Sequence, residues 1–179
     1  MVAAHPEPDS HPSADEAHHL VRYLQHVRRE LRRALEGMAV ADLERHLGGM
    51  NSVAWMVGHL AWQEQSYWLT GRGEPDASAL DLKAFGRTRP EAMPTFEALF
   101  EAWEKVTTAA DKWLLALGEP ELRTHLTGRR MFDEENVGTL LTRVIGHYYL
   151  HIGQITAIRK WLDYPVPPFV GSQAGADYR

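Results

Sequence analysis

Val137-Gly138-Thr139-Leu140-Leu141-Thr142-Arg143-Val144-Ile145-Gly146-His147-Tyr148-Tyr149-Leu150-His151-Ile152-Gly153-Gln154-Ile155-Thr156-Ala157-Ile158-Arg159-Lys160-Trp161-Leu162 is the stretch on which the fold turns. Val137, Leu141, Val144, Tyr148, His151, Ile155, Ile158 and Leu162 recur at alternating fours and threes, so they form one stripe along a helix. His151 occupies a place on that stripe where a core leucine is expected. His147 lies four residues earlier, and both imidazoles project from one face about a turn apart. Such a pair can chelate one divalent ion, because a neutral imidazole offers a nitrogen lone pair. It can equally be one hydrogen-bonded core histidine beside a packing neighbour, since the glutamate of the zincin motif is missing.

Working outward, Asp133-Glu134-Glu135-Asn136 suits the start of this helix, with Asn136 as N-cap and negative charge at the positive end of the dipole. Tyr164-Pro165 stops it, because the residue before proline avoids helical geometry. Three more helices are read upstream. Ser13-Ala14-Asp15-Glu16 has capping-box spacing and starts a helix over about 15–38, with Leu20, Leu24, Val27, Leu31, Ala34 and Met38 as its stripe. Arg28, Arg29, Arg32 and Arg33 fall on its other side and read as a solvated face interrupted by Glu30. Asn51 or Ser52 caps a second helix running to Thr70, with Gly71 at C′. Val53, Trp55, Met56, Val57, Leu60, Trp62, Tyr67, Trp68 and Leu69 leave little of its circumference polar, so it is covered on more than one side. Gly58 in its interior implies close approach of another backbone. Phe96, Leu99, Trp103, Val106, Ala110, Trp113 and Leu117 mark a third helix, opened by a Thr88-Arg89-Pro90-Glu91 cap or by Pro94 and stopped by Gly118 and Pro120.

The connectors at 39–50, 72–93 and 119–136 are read as irregular, with one short turn around 78–85 and an extended arm at Leu122, Thr124 and Leu126. Residues 1–12, with three prolines, read as a disordered tail, 13–163 as one domain, and 164–179 as an irregular C-terminal tail. Four long helices, each with one apolar stripe, make an all-α four-helix bundle the expected fold.

The 179 residues are 44% hydrophobic and 24% charged, as in an ordinary globular domain. The formal charge of −5 argues against a nucleic-acid partner. No apolar run approaches the roughly 20 residues of a membrane span, and no leader is read at the N-terminus, so the cytoplasm is expected. Cysteine is absent, which removes disulfides, thiolate ligands and an internal thiol nucleophile.

His59, in line with Met56, Gln63 and Ser66, points into the buried environment that covers the second helix. Alone it reads as a satisfied core residue. Together with His147 and His151 it offers three imidazoles from two helices of a bundle, a set that holds a divalent ion while leaving positions open, as catalytic sites do. Glu64 lies about 140° round the helix from His59, so it is not read as a general base.

Asn51-Ser52-Val53-Ala54-Trp55-Met56-Val57-Gly58-His59-Leu60-Ala61, with His147-Tyr148-Tyr149-Leu150-His151-Ile152-Gly153-Gln154-Ile155 about ninety residues on, resembles the DinB/YfiT-like superfamily. The resemblance spans about 15–163 and places His59, His147 and His151 on that family's three metal ligands. It implies up-down-down-up connectivity, with zinc or nickel expected as the metal, and a homodimer. The spread of Trp55, Trp62 and Trp68 round the second helix points to a dimer as well. On activity it implies thiol-dependent S-transfer with mycothiol, bacillithiol or glutathione as co-substrate. The alternatives are a metal-dependent hydrolase and a non-catalytic protein that binds a metal or small molecule.

Overall fold

A computed structural model describes residues 16–86, 90–128, 134–168 and 170–178. Its long helices are α1 (His19–Leu35), α3 (Val53–Glu64), α4 (Phe96–Leu114) and α6 (Val137–Trp161), with short helices α2 (Val40–Glu44) and α5 (Glu119–Leu122) between them. Among the described residues there is no strand, and no helix is long and apolar enough to cross a membrane. The fold is all-α, built as a helical bundle.

Side-chain partners fix the directions. Arg159, late in α6, donates to the carbonyls of Ala34 and Glu36 at the end of α1, at 3.0 and 2.8 Å, so these two helices run parallel. His59 and Gln63 of α3 meet His151 and His147 of α6 in reversed order, so α3 runs antiparallel to α6. Gly58 lies against Leu99 and Trp68 against Trp113, which makes α4 parallel to α3. The connectivity is therefore up, down, down, up.

The stripe on α6 is the core: Val137, Leu141, Val144, Tyr148, His151, Ile155 and Ile158 are all buried. Asn136 caps α6 as expected, its Oδ1 accepting from the Thr139 amide at 2.9 Å. Ser52 caps α3 by accepting from the Trp55 amide at 3.2 Å. Thr95, and not the 88–91 stretch or Pro94, caps α4; residues 87–89 lie outside the described set. The Ser13 capping box and the tail over 1–12 also lie outside it. Within it, α1 begins at His19, with the His18 ring accepting from the Leu20 amide.

Several boundaries differ from expectation. The second helix does not stay α-helical to Thr70: it widens into a π turn over Gln65–Leu69, tightens to a 3₁₀ turn at Thr70–Arg72, and ends on Gly73 at φ 81°. Gly71 instead receives the Gly128 amide on its carbonyl at 2.7 Å. Gly118 and Pro120 do not stop α4, which has already ended; they start α5, and this displaces the extended arm expected at 122–126. The turn around 78–85 exists as a 3₁₀ turn over Leu82–Phe85. The tryptophans that suggested a dimer are accommodated within one chain. Trp55 and Trp68 are buried and Trp62 is half-buried, so their burial does not require a second subunit.

The arginine face of α1 is not wholly solvated. Arg28 is buried, and its Nε donates to Glu64 Oε1 at 2.8 Å while a terminal nitrogen reaches Glu64 Oε2. Its other terminal nitrogen donates to Asp111 at 2.6 Å. Tyr148 donates to Glu64 Oε1 at 2.5 Å and accepts from the Trp103 indole at 2.6 Å. Burial, and then Glu64 beside it, raise the Tyr148 phenol well above its usual range, which keeps it a neutral donor. Burial opposes the charge on Arg28, but Glu64 more than offsets this and the guanidinium stays ionised. Five side chains thus join all four long helices.

Removing one partner strands the other as a buried charge, at a cost of about 3–5 kcal/mol. Arg28→Met is therefore expected to destabilise the protein by roughly that much in urea unfolding. Arg29→Met, on the exposed side of α1, should fall within about 0.5 kcal/mol of the parent.

Candidate metal centre

Three imidazoles converge where α3 passes α6. His59 sits in the middle of α3, with its ring between two indoles: Trp55 at 4.7 Å between centroids and 13° between planes, and Trp62 at 5.3 Å and 28°. The flanking rings fix the plane of His59. Its Nδ1 lies 2.6 Å from the Phe85 carbonyl, so Nδ1–H donates there and Nε2 keeps the lone pair. That carbonyl is delivered by the 3₁₀ turn Leu82–Phe85, which Asp81 caps through the Lys83 amide at 3.2 Å.

Gly58 makes the arrangement possible. A Cβ there would lie 2.7 Å from the Phe85 ring and 3.0 Å from Leu99 Cδ2. The glycine thus admits a side chain, not the backbone its place in the helix suggested. The same phenylalanine whose ring needs the glycine supplies the carbonyl that orients the neighbouring histidine.

On α6 the pattern repeats. His147 Nδ1 lies 2.7 Å from Gln63 Oε1, and His151 Nδ1 lies 2.8 Å from Gln154 Oε1. In each case the amide oxygen can only accept, so both Nδ1 atoms carry the hydrogen and both Nε2 atoms carry lone pairs. Those two Nε2 atoms are 3.0 Å apart. One ligand atom from each of His59, His147 and His151 lies within 4.8 Å of the others.

Two lone pairs facing each other at 3.0 Å repel unless a cation lies between them. The separation suits two nitrogens at the 2.0–2.1 Å bonds typical of zinc, which place neighbouring ligands about 2.9–3.4 Å apart. The donor set therefore fits a divalent transition metal, and an all-imidazole set suits zinc and nickel alike. His151 is buried, whereas His59 and His147 are half-buried, so the cluster is open on one side. Leu150 and Gln154 stand exposed on α6 beside it.

Electrostatics keep the rings neutral. Burial first, and then repulsion from His151 and His59, push His147 down to about 3. Burial lowers His151 to about 4 even though Gln154 acts the other way. Burial also lowers His59, with the Phe85 carbonyl opposing.

The sequence matches the DinB superfamily over residues 23–155, most of the chain and all three histidines. The chain belongs to the DinB superfamily. No curated protein matches it. A close histidine triad in a DinB-type bundle fits a metal-binding protein.

The other histidines named here stand apart from the triad in the DinB fold. His18 caps α1, His46 lies against the Met50 carbonyl, and His125 lies against the Glu134 carbonyl. His26 is buried in α1 with neither ring nitrogen bonded. Glu64, already set aside as a base, is held by Arg28 and Tyr148. The three orienting acceptors were not assigned roles from the sequence. Gln63 and Gln154 could have been, because they fall at i+4 from His59 and i+3 from His151. The Phe85 carbonyl carries no such signal.

The imidazoles give the metal-free protein a signed pH dependence. Unfolded histidines take up protons near 6.5, whereas His151 and His147 resist until about 4 and about 3. The unfolded state thus binds more protons between those limits, and stability falls as pH drops through that window. Urea midpoints should decrease from pH 7 to pH 5. A His147→Gln/His151→Gln variant should show a shallower decrease, since glutamine does not titrate.

Proposed function

We propose that this DinB-superfamily protein is a metal-dependent enzyme, with His59, His147 and His151 as ligands to one divalent ion, zinc or nickel, and a low-molecular-weight thiol as co-substrate for S-transfer. The observation that carries the ligand assignment is tautomeric. Each Nδ1 is committed to an oxygen outside the cluster, which leaves the Nε2 lone pairs for the centre. A divalent ion held there supplies Lewis acidity, lowering the pKa of a thiol or water so that a nucleophile exists at neutral pH.

The residues of the chain bind, orient and exclude water. Trp55 and Trp62 hold the His59 ring and form an apolar wall beside it. Gln63 and Gln154 hold the two rings of α6. A thiol is favoured over water by the resemblance of the two histidine motifs to the DinB/YfiT-like superfamily. Glu64, the nearest carboxylate in sequence to His59, is bonded to Arg28 and Tyr148 and is not assigned as a general base. The chain has no cysteine, so the sulfur has to come with a co-substrate such as mycothiol, bacillithiol or glutathione. In the transfer, the thiol sulfur bonds to an electrophilic carbon, the carbon's leaving group departs with the bonding pair, and the thiol proton passes to solvent.

The ligand set is tested on protein purified without a polyhistidine tag. Single changes of His59, His147 or His151 to Ala should abolish stoichiometric metal by elemental analysis, whereas His18→Ala, His46→Ala and His125→Ala should not. Full metal content in His151→Ala would overturn the assignment. Gln63→Leu frees the His147 ring, and chelator competition should show metal affinity reduced by about 10–100-fold.

The reaction is tested by incubating metal-loaded protein with an epoxide or halogenated aromatic, with and without each thiol, beside ester and amide substrates without thiol. Turnover that requires both thiol and metal is expected. Turnover of esters or amides without thiol would select the hydrolase, and no turnover with metal bound would select the non-catalytic binding protein.

A further inference from the structure

His26, in the middle of α1, is 1% exposed, and neither of its ring nitrogens has a hydrogen-bond partner. A neutral imidazole carries one N–H and one lone pair, so a donor and an acceptor are both left unmade in the interior. Such groups are costly to bury. The ring does not belong to the polar set around Glu64, because His26 lies about 200° round the helix from Arg28.

The cover on this side of α1 is the C-terminal segment. Arg22, His26 and Glu30 follow at steps of four and share one face of the helix. Arg22 donates to the Asp177 carbonyl, and Glu30 Oε2 accepts from the Gly171 amide at 2.9 Å. These anchors lie on either side of His26, about 12 Å apart along the helix, and residues 172–176 cross between them. Within the crossing Ala176 is buried, and its amide donates to the Gln173 carbonyl at 2.8 Å. Gly171 comes so near α1 that a Cβ on it would lie 2.9 Å from Glu30 Oε1.

The groups round the ring decide what a proton does there. Tyr23 of α1 stacks on it at 5.7 Å and 19°, and Tyr149 of α6 stands beyond with the two hydroxyls 3.4 Å apart. Burial dominates and holds His26 below its ordinary range; Glu30 acts the other way, and Arg29 and Arg33 add to the lowering. The segment contributes Asp177, whose carbonyl also lies 3.4 Å from the His19 ring. Burial opposes the charge on Glu30, but the bond from Arg33 and the Gly171 amide more than offset it, so the carboxylate stays ionised. A protonated His26 would therefore compete with the Gly171 amide for Glu30.

We propose that residues 171–177 are a pH-sensitive strap, docked on α1 while His26 is neutral and released when that ring takes up a proton from solvent. The sign follows from linkage. Released, an exposed His26 binds its proton near 6.5, whereas the docked ring resists to lower pH. Release takes up one proton, so the docked-to-released ratio falls by up to about tenfold per pH unit below 6.5. His147 and His151, at about 3 and about 4, stay neutral over that range.

The test is amide hydrogen exchange by NMR on the full chain at pH 7.5, 6.5 and 5.5, with rates corrected for intrinsic exchange. Protection of the Gly171 and Ala176 amides should fall severalfold or more between pH 6.5 and 5.5, while the Ile155 amide in the core of α6 keeps its protection. His26→Leu, which is apolar and does not titrate, should hold the strap equally at all three pH values. His19→Gln should respond to pH as the parent does. Protection in the parent that does not change with pH, or an equal fall in His26→Leu, overturns the proposal. Loss of the response in His19→Gln assigns the release to His19 and overturns the role of His26. An equal fall at Ile155 means unfolding of the whole bundle and overturns the strap.

Discussion

The buried pair of Arg28 and Glu64 is the constraint on which the rest of the bundle depends. Helix stripes of leucine, valine and alanine pack in many registers that differ little in energy, because apolar contact has no direction. A buried guanidinium and carboxylate have essentially one arrangement that satisfies both. Tyr148, Trp103 and Asp111 complete the set, so a slip of one turn in any long helix would leave a charge or a hydroxyl unpaired in the interior. Replacing such a pair with apolar residues often costs little stability, so its role here is read as specificity of packing more than as net stabilisation.

That specificity reaches the histidines through single peptide bonds. Glu64 follows Gln63, and Tyr148 follows His147. The same crossing of α3 and α6 is therefore bonded twice, once between Tyr148 and Glu64 in the interior and once between His147 and Gln63 at the cluster. The interior bond fixes the relative height of the two helices, and the outer bond uses that height to hold an imidazole. The π turn over Gln65–Leu69 begins directly after this crossing. A π turn shifts the residues beyond it round the axis, so Tyr67 and Trp68 enter the core in an orientation that a continued α-helix would not give them.

These relations explain what was legible in the sequence. The α6 stripe could be read because periodicity is a local property and burial follows it directly, and the histidine on that stripe could be seen as the odd residue in an apolar row. The other three long helices were read in the same way from their own apolar residues, and the triad from the three histidines together with the family resemblance. Arg28 could not be read, because its companions Arg29, Arg32 and Arg33 look alike in composition and only the placement of Glu64 on another helix sets it apart. The π turn was hidden because its residues keep good helix-forming character. The described residues of the C-terminal segment contain no helix, and their contacts with α1 run through the Pro168 and Asp177 carbonyls and the Gly171 amide, backbone groups that every sequence supplies.

The least legible feature is also the one that completes the centre. His147 and His151 are oriented by glutamines that a helical wheel can find, but His59 is oriented by a carbonyl 26 residues away in a connector. Its position rests on a chain of local facts: Asp81 caps the turn, the turn presents Phe85, and Gly58 admits the phenylalanine ring to the core. The ring anchors the connector by apolar burial, and the backbone oxygen of the same residue then holds the imidazole. Hydrophobic packing and ligand orientation are thereby coupled in one residue. A change that relaxes the core at Phe85 would move the hydrogen bond that selects the His59 tautomer. The connector between α3 and α4 thus orients one member of the histidine cluster through a backbone carbonyl.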